Sequence, residues 1–113
     1  MAIENTSTER IETIVASQRA YFRGGNTLDI KFRLSALRAL KSAIMKWEKP
    51  LADALWTDLH KSYEEGYLTE LSIVLGEIDN HISHLKEWSA PEHRPTPLKM
   101  FPSRSKIISE PLG

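Results

Sequence analysis

The sequence predicts a mostly α-helical fold: about four helices, one of them long and amphipathic, then a proline-rich linker and one C-terminal β-strand. Two observations support this prediction. Between residues 6 and 88 the apolar residues recur at steps of three and four, the spacing of one helix face. Four of the six prolines lie in residues 91–102, and the apolar pair Ile107-Ile108 follows them. Because proline cannot continue a helix, this stretch separates the helices from the strand.

The composition is that of an ordinary soluble domain. The chain has 113 residues, 41% of them hydrophobic, with 15 basic residues, 15 acidic residues and no cysteine. One compact domain is the upper limit, and disulfides, thiolate metal sites and a cysteine nucleophile are excluded. Zero net charge disfavours bulk electrostatic binding to nucleic acid or membranes. Residues 1–50 carry nine basic and five acidic residues and residues 51–113 carry six and ten, so the two halves should attract each other if they pack together.

The first two helices have recognisable starts. Thr6 and Glu9 stand in capping-box spacing before a helix that reaches about Arg23, where two glycines stop it. Asp29 can cap a second helix, because its carboxylate accepts unpaired backbone N–H groups. This second helix carries one continuous apolar stripe, formed by Ile30, Leu34, Leu37, Leu40, Ile44 and Trp47.

A third and a fourth helix follow. Pro50 is tolerated in a first helical turn and opens a helix that ends near His60. Ser62 and Glu65 form a second capping box, from which a helix of some 26 residues reaches Trp88 or Ser89, a rod of roughly 40 Å. Its predicted stripe is Leu68, Leu71, Leu75, Ile78, Ile82 and Leu85.

The last segment is unusual. Residues 103–109 present Ile107-Ile108 among polar residues, as a short strand does, but no partner strand is predicted in an otherwise helical chain. A lone strand cannot satisfy its own backbone groups. The sequence therefore suggests a chain that is unfinished at its C-terminus.

The best local candidate for a metal site is a polar strip on the long helix. Its members, which fall on successive turns, are Glu70, Glu77, His81 and His84. A di-iron carboxylate site requires Glu-x-x-His from two helices, whereas here Glu77 and His81 are four apart and no second copy exists. A polar strip beside a packing face is the commoner arrangement, so no metal ligand is predicted. The remaining histidines, His60 and His93, have no apparent acid–base partner.

Other candidate features also have simpler explanations. The second helix has a basic outer side, which could meet an acidic partner, a phosphate or anionic lipid but is more commonly a solvated face; it consists of Lys31, Arg38, Lys41 and Lys46. Gly24-Gly25 follows no strand and is read as a helix stop rather than a phosphate loop. Trp47, Trp56 and Trp88 fall in predicted helical segments and are expected to anchor a core or an interface.

Targeting and partners are predicted mainly by what the sequence lacks. The N-terminus MAIENTSTER is polar, unlike a signal peptide, and no apolar run approaches the roughly 20 residues of a membrane span. We therefore expect a cytoplasmic protein. No aromatic and basic interleaving favours nucleic acid.

The order of several short motifs resembles the N-terminal segment of an aldehyde dehydrogenase. These motifs are Arg33-x-x-x-Leu37-x-x-Leu40, Asp58-Leu59-x-Lys61, Glu70-Leu71, Glu77-Ile78, Trp88, a proline-rich link and Ser109-Glu110-Pro111-Leu112-Gly113. The segment DLHKSYEEGYLTEL is most similar to the class 3 branch, which includes fatty and aromatic aldehyde dehydrogenases, and the closing SEPLG is the most specific piece of the family resemblance. The resemblance covers nearly all of residues 8–113.

The resemblance implies an NAD(P)-dependent parent enzyme of α/β fold, which oxidises an aldehyde to a carboxylate through a cysteine thiohemiacetal and thioester. It implies that residues 1–90 pack on the cofactor-binding domain, that 91–102 are a linker and that 103–113 are the first strand of the bridging or oligomerisation element. The parent family is homo-oligomeric, with a dimer expected. Its catalytic cysteine, general base and nucleotide-binding units lie beyond Gly113, so no catalytic, cofactor-binding or metal residue is predicted in this chain.

Three hypotheses follow. The first is a truncated part of a dehydrogenase that is inactive alone, has a structural role and associates with itself or with the rest of the enzyme. The second is a free-standing helical protein-interaction module, for which a strand after a proline linker has no use. The third is a helical metalloprotein centred on His81 and His84. The sequence favours the first.

Overall fold

A computed structural model describes residues 5–113 and confirms the mostly α-helical prediction; the first four residues of the polar N-terminus lie outside this range. The helical elements in order are α1 (Thr8–Arg23), α2 (Ile30–Lys46), α3 (Glu48–Leu59), α4 (Tyr63–Gly66), a π-helical segment (Tyr67–Leu71) and α5 (Ser72–Trp88). They are followed by β1 (Glu92–Arg94), a 3₁₀ turn (Leu98–Met100) and β2 (Ser105–Ile107).

Local hydrogen bonds explain where the helices begin. The Asp29 carboxylate accepts two backbone N–H groups of the first turn of α2, both at 3.2 Å, as predicted. The Ser62 hydroxyl accepts the N–H of Glu65 at 3.2 Å, which confirms the start of the long helix. The predicted cap of α1 was wrong by one residue: Ser7, not Thr6, accepts a backbone N–H in the first turn.

The junction between α2 and α3 is tighter than predicted. Trp47 ends α2 and α3 starts at Glu48, so Trp47 is a junction residue rather than a helical one. Pro50 occupies the first turn of α3, where its missing N–H leaves no hydrogen bond unmade. At the other end His60 adopts the left-handed conformation, with φ 53°, and this reverses the chain toward α4.

The π-helical segment changes the predicted apolar stripe of the long helix. Within it, hydrogen bonds span five residues instead of four, so each turn is wider than an α-turn. Gly66 and Leu71, five residues apart, are both buried, whereas Leu68 is 66% exposed. The buried stripe therefore begins at Leu71, and the expectation that Leu68 belongs to it was wrong.

The C-terminal strand has a partner, which corrects the prediction of a lone strand. β1, inside the predicted proline-rich linker, pairs antiparallel with β2, with Glu92 opposite Ile107 and Arg94 opposite Ser105. The Thr96 hydroxyl donates to the Ser105 hydroxyl oxygen at 2.9 Å beside the last pair. The pairing satisfies backbone groups that a single strand leaves open.

The helices form a thin layer instead of a closed core. α2 packs along α5, and α3 contacts α2 and α4. Of the apolar side chains in residues 5–113, Leu71 and Ile78 are the two that are buried. The chain exposes 9680 Å², against about 6,300 Å² for a compact protein of 12.9 kDa. Its radius of gyration is 20.4 Å, whereas a compact domain of this length has a radius of gyration of about 13 Å. Much apolar surface is therefore left for a partner.

Two glycines of the long helix provide a matched test of this packing. A Cβ on Gly66 would lie 3.1 Å from Cδ1 of Leu55, whereas a Cβ on Gly76 would meet no atom within 4 Å. We expect Gly76→Ala to raise the free energy of unfolding by about 1 kcal/mol, because alanine favours the helix. Gly66→Ala should raise the free energy of unfolding by less, because the Leu55 side chain must move to make room for the new methyl group. Urea unfolding of both variants measures the difference, and an equal gain at both positions would contradict the close α3–α4 contact.

Candidate functional site

The polar strip proposed from sequence is divided among separate local contacts. Lys61 pairs with the Glu70 carboxylate, and His81 Nε2 lies 3.0 Å from Glu77 Oε1. His84 Nδ1 donates to the backbone carbonyl of Asn80 at 2.9 Å. In the part of the chain that the structure describes, no three histidine, aspartate or glutamate side chains are grouped as metal ligands. The contacts fit a polar strip beside a packing face, and the absence of a metal site stays a prediction.

The two histidines of this strip pack on Trp88. The His81 ring lies edge-on at 5.3 Å from the Trp88 ring, and the His84 ring stacks on it at 5.4 Å. Trp88 remains 47% exposed, and Trp47 and Trp56 are 57% and 56% exposed. None of the three tryptophans is buried in a core in this structure. Of the two roles expected from the sequence, core anchor or interface anchor, the interface role remains as a prediction.

The basic side of α2 meets the acidic half of the chain at one point. Lys41 Nζ lies 2.6 and 2.7 Å from the two carboxylate oxygens of Asp79 on α5. This pair joins the basic half and the acidic half of the chain along the α2–α5 contact. Both side chains are partly exposed, so the pair contributes at most about 1 kcal/mol.

An open concavity where α3 meets α4 was not predicted. The Tyr63 hydroxyl donates to the Glu48 carboxylate, and this hydrogen bond, with some desolvation, raises the pKa of Tyr63 above its ordinary value. The walls are mixed in polarity and include Lys46, Lys49 and Trp56. Sequence reasoning missed it because its residues come from three elements and share no motif.

The remaining histidines lie apart from both features. His60 ends α3 in its left-handed conformation, and its ring lies 5.6 Å from that of Trp56. His93 lies in β1 and is exposed. Within the described residues, neither forms an ion pair with a carboxylate.

Two open apolar grooves lie on the helical layer. One lies between α2, α3 and the long helix, and the other lies along the α2–α5 contact. The first is lined by Ile44, Leu51, Leu55, Leu71 and Val74, and the second by Leu37, Ile73, Val74 and Ile78. Periodicity predicted most of the apolar side chains of the two grooves, but not Ile73 or Val74 and not that the grooves stay open. Exposed apolar patches mark contact sites for proteins, membranes or ligands.

The comparisons with known proteins agree on one family, although no protein-family profile matches the chain. The 4,4'-diaponeurosporen-aldehyde dehydrogenase of Staphylococcus aureus is 39% identical over 103 residues, covering 91% of this chain and 22% of the relative. The dimeric NADP-preferring aldehyde dehydrogenase of Canis lupus familiaris is 40% identical over 108 residues, covering 92% and 23%. Aldehyde dehydrogenase family 3 member F1 of Arabidopsis thaliana is 32% identical over 105 residues, covering 93% and 22%.

Comparison with solved structures supports the same family. The substrate-bound structure of Staphylococcus aureus AldH superposes with a TM-score of 0.82 at 37% sequence identity, over 98% of this chain and 23% of that one. The chain therefore belongs to the aldehyde dehydrogenases. It corresponds to the N-terminal part of the class 3 branch, and it spans less than a quarter of the length of the relatives that it matches. Within residues 5–113, none of the helices combines the length and the hydropathy of a membrane span.

Proposed function

We propose that these 113 residues act as a structural segment of an aldehyde dehydrogenase, whose helical layer packs on the cofactor-binding part of the enzyme. The observation that carries the proposal is the pair of open apolar grooves, in a chain that matches the N-terminal part of much longer enzymes. The apolar surface left exposed by residues 5–113 is the surface that such a partner would cover.

We extend the proposal to the whole enzyme, which would catalyse the reaction of its family. The parent reaction is oxidation of an aldehyde to a carboxylate, with NAD or NADP accepting the hydride. This chain supplies no catalytic, cofactor or metal residue in that reaction. Support comes from the site geometry: the histidines of the polar strip lie in separate local contacts, with Glu77 and with the backbone carbonyl of Asn80.

The C-terminal hairpin has a separate proposed role. β1 and β2 form a two-stranded ribbon, and we place them at the start of the bridging element through which the parent family forms homo-oligomers, with a dimer expected. A two-stranded ribbon is marginal by itself and gains stability from further strands. We also propose that the enzyme is cytoplasmic.

An activity assay on the isolated chain tests the structural role. Purified residues 1–113 should give no aldehyde-dependent formation of NADH or NADPH with fatty or aromatic aldehydes. The full-length dimeric canine relative is the positive control under the same conditions. Titration calorimetry with NADP should also show no binding by the chain. Turnover above the protein-free rate, or saturable NADP binding, would contradict the proposal.

A further inference from the structure

We propose that α1 opens and refolds independently of the layer formed by α2–α5, as an arm attached to that layer by residues 24–28. The proposal goes beyond the structural role above, because it concerns the stability of one part of this chain relative to the rest. Three observations support it: the exposure of α1, the weak tendency of its sequence to form an isolated helix, and the hydrogen bonds of the turn at its end.

Helix α1 has almost no packing surface within the described chain. Of its 16 residues, Phe22 alone is half-buried and the others are exposed. Among residues 5–113, α1 packs along no other helix or strand, whereas α2 packs along α5. Near the end of α1, the Tyr21 ring lies 6.1 Å from the Phe32 ring of α2. Tertiary packing supplies most of the stability of helices in proteins, and α1 therefore receives little of it.

The sequence of α1 gives little stability to an isolated helix. Five of its 16 residues are β-branched, and such side chains lose rotamer freedom in a helix; they are Thr8, Ile11, Thr13, Ile14 and Val15. Within residues 5–113, no ion pair involves a residue of α1. Isolated helices shorter than roughly 15 residues are marginal in water even when they are rich in alanine. Helix α1 is close to this length and has a less favourable composition, so its open state should be well populated.

The connection between α1 and α2 is a formed turn whose far end is held on the layer. The backbone N–H of Gly25 donates to the Phe22 carbonyl at 2.9 Å, and the N–H of Leu28 donates to the Gly25 carbonyl at 3.1 Å. Gly25 has φ 76°, a conformation that favours glycine. The Arg33 guanidinium donates to the Leu28 carbonyl at 3.1 Å, which fixes the end of the turn on α2. The part of the chain that opens therefore ends before Leu28.

Hydrogen exchange of the 113-residue chain tests the proposal, in dilute solution below the onset of self-association. Relative to their intrinsic rates, the backbone amides of residues 12–23 should exchange at least tenfold faster than those of residues 76–88 in α5. The reason is that local opening of α1 exposes its amides without unfolding the layer. A smaller ratio would show that the two helices open together and would overturn the proposal.

A matched pair of substitutions provides an independent measurement. Ala16 in α1 and Ala39 in α2 are both exposed, and all three tryptophans lie outside α1, so tryptophan fluorescence reports unfolding of the layer. In urea, Ala39→Gly should lower the folding equilibrium constant of the layer roughly fivefold, because glycine disfavours a helix interior. Ala16→Gly should leave the tryptophan transition unchanged. An equal loss of layer stability in the two variants would contradict independent opening of α1.

Discussion

Replacing Ile78 by aspartate is expected to lower the free energy of unfolding by about 4 kcal/mol, enough to unfold much of the chain at 25 °C. Ile78 is 7% exposed and lies where α5 packs against α2. An aspartate there would lose the hydration of its carboxylate without gaining an ion-pair partner, which costs free energy. Because only two apolar side chains within residues 5–113 are buried, few other contacts can compensate.

The matched control for this substitution is Ile73→Asp. Ile73 lies on the same helix but is 62% exposed, so its aspartate stays hydrated and should change stability by about 0.5 kcal/mol or less. Both variants introduce the same residue into the same helix, so differences in helix propensity cancel. Urea unfolding followed by circular dichroism measures both. Equal losses would show that the α2–α5 contact does not hold the layer together.

The isolated chain is expected to associate with itself, which is the second large effect. It exposes about 3,400 Å² more than a compact protein of its mass, about twice the total area buried in a standard protein–protein interface. Sedimentation velocity over a rising concentration series should show increasing mass, and a dye that binds exposed apolar surface should fluoresce strongly with the chain. A monomer that persists at the highest concentrations would contradict this expectation.

A charge placed in the grooves should reverse the association. Val74 lines both apolar grooves, so Val74→Lys should shift the chain toward the monomer by placing an ammonium group in the contact surface. Asn80→Lys adds the same charge on the exposed outer side of α5 and should leave the association unchanged. If both substitutions act alike, net charge and not the grooves controls the association.

The helices could be predicted from the sequence because the signals that start and stop them are local. Asp29 and Ser62 accept hydrogen bonds from residues two or three positions away, and such contacts depend little on the rest of the fold. The strand pairing could not be predicted in the same way. β1 is the charged tripeptide Glu92–Arg94 within a proline-rich stretch, and its strand character comes from a partner more than ten residues away.

Burial was harder to predict than secondary structure. Periodicity shows which residues share a helix face, but it does not show whether another element covers that face. Trp56 and Leu40 lie on helices where they were expected, yet they are 56% and 50% exposed, because the described chain has no layer to place over them. For the same reason the open grooves could not be recognised from the sequence, although most of their lining residues could.

Of the contacts in the candidate site, the one between Glu77 and His81 could be predicted from the sequence and the one between Tyr63 and Glu48 could not. Glu77 and His81 were correctly placed on neighbouring turns, because their separation is set by the helix itself. The Tyr63–Glu48 contact depends on how the chain turns at His60, and no local pattern near either residue reports that turn.

The π-helical segment has a consequence for how this region tolerates insertions and deletions. A single wide turn holds one more residue than an α-turn, so Tyr67–Leu71 is geometrically an α-helix with one residue inserted. Gly66 and Leu71 reach the same buried side across that wide turn. A homologous chain one residue shorter here could therefore present the same buried surface on an uninterrupted α-helix. Alignments of this helix should accordingly allow a one-residue gap between positions 66 and 71.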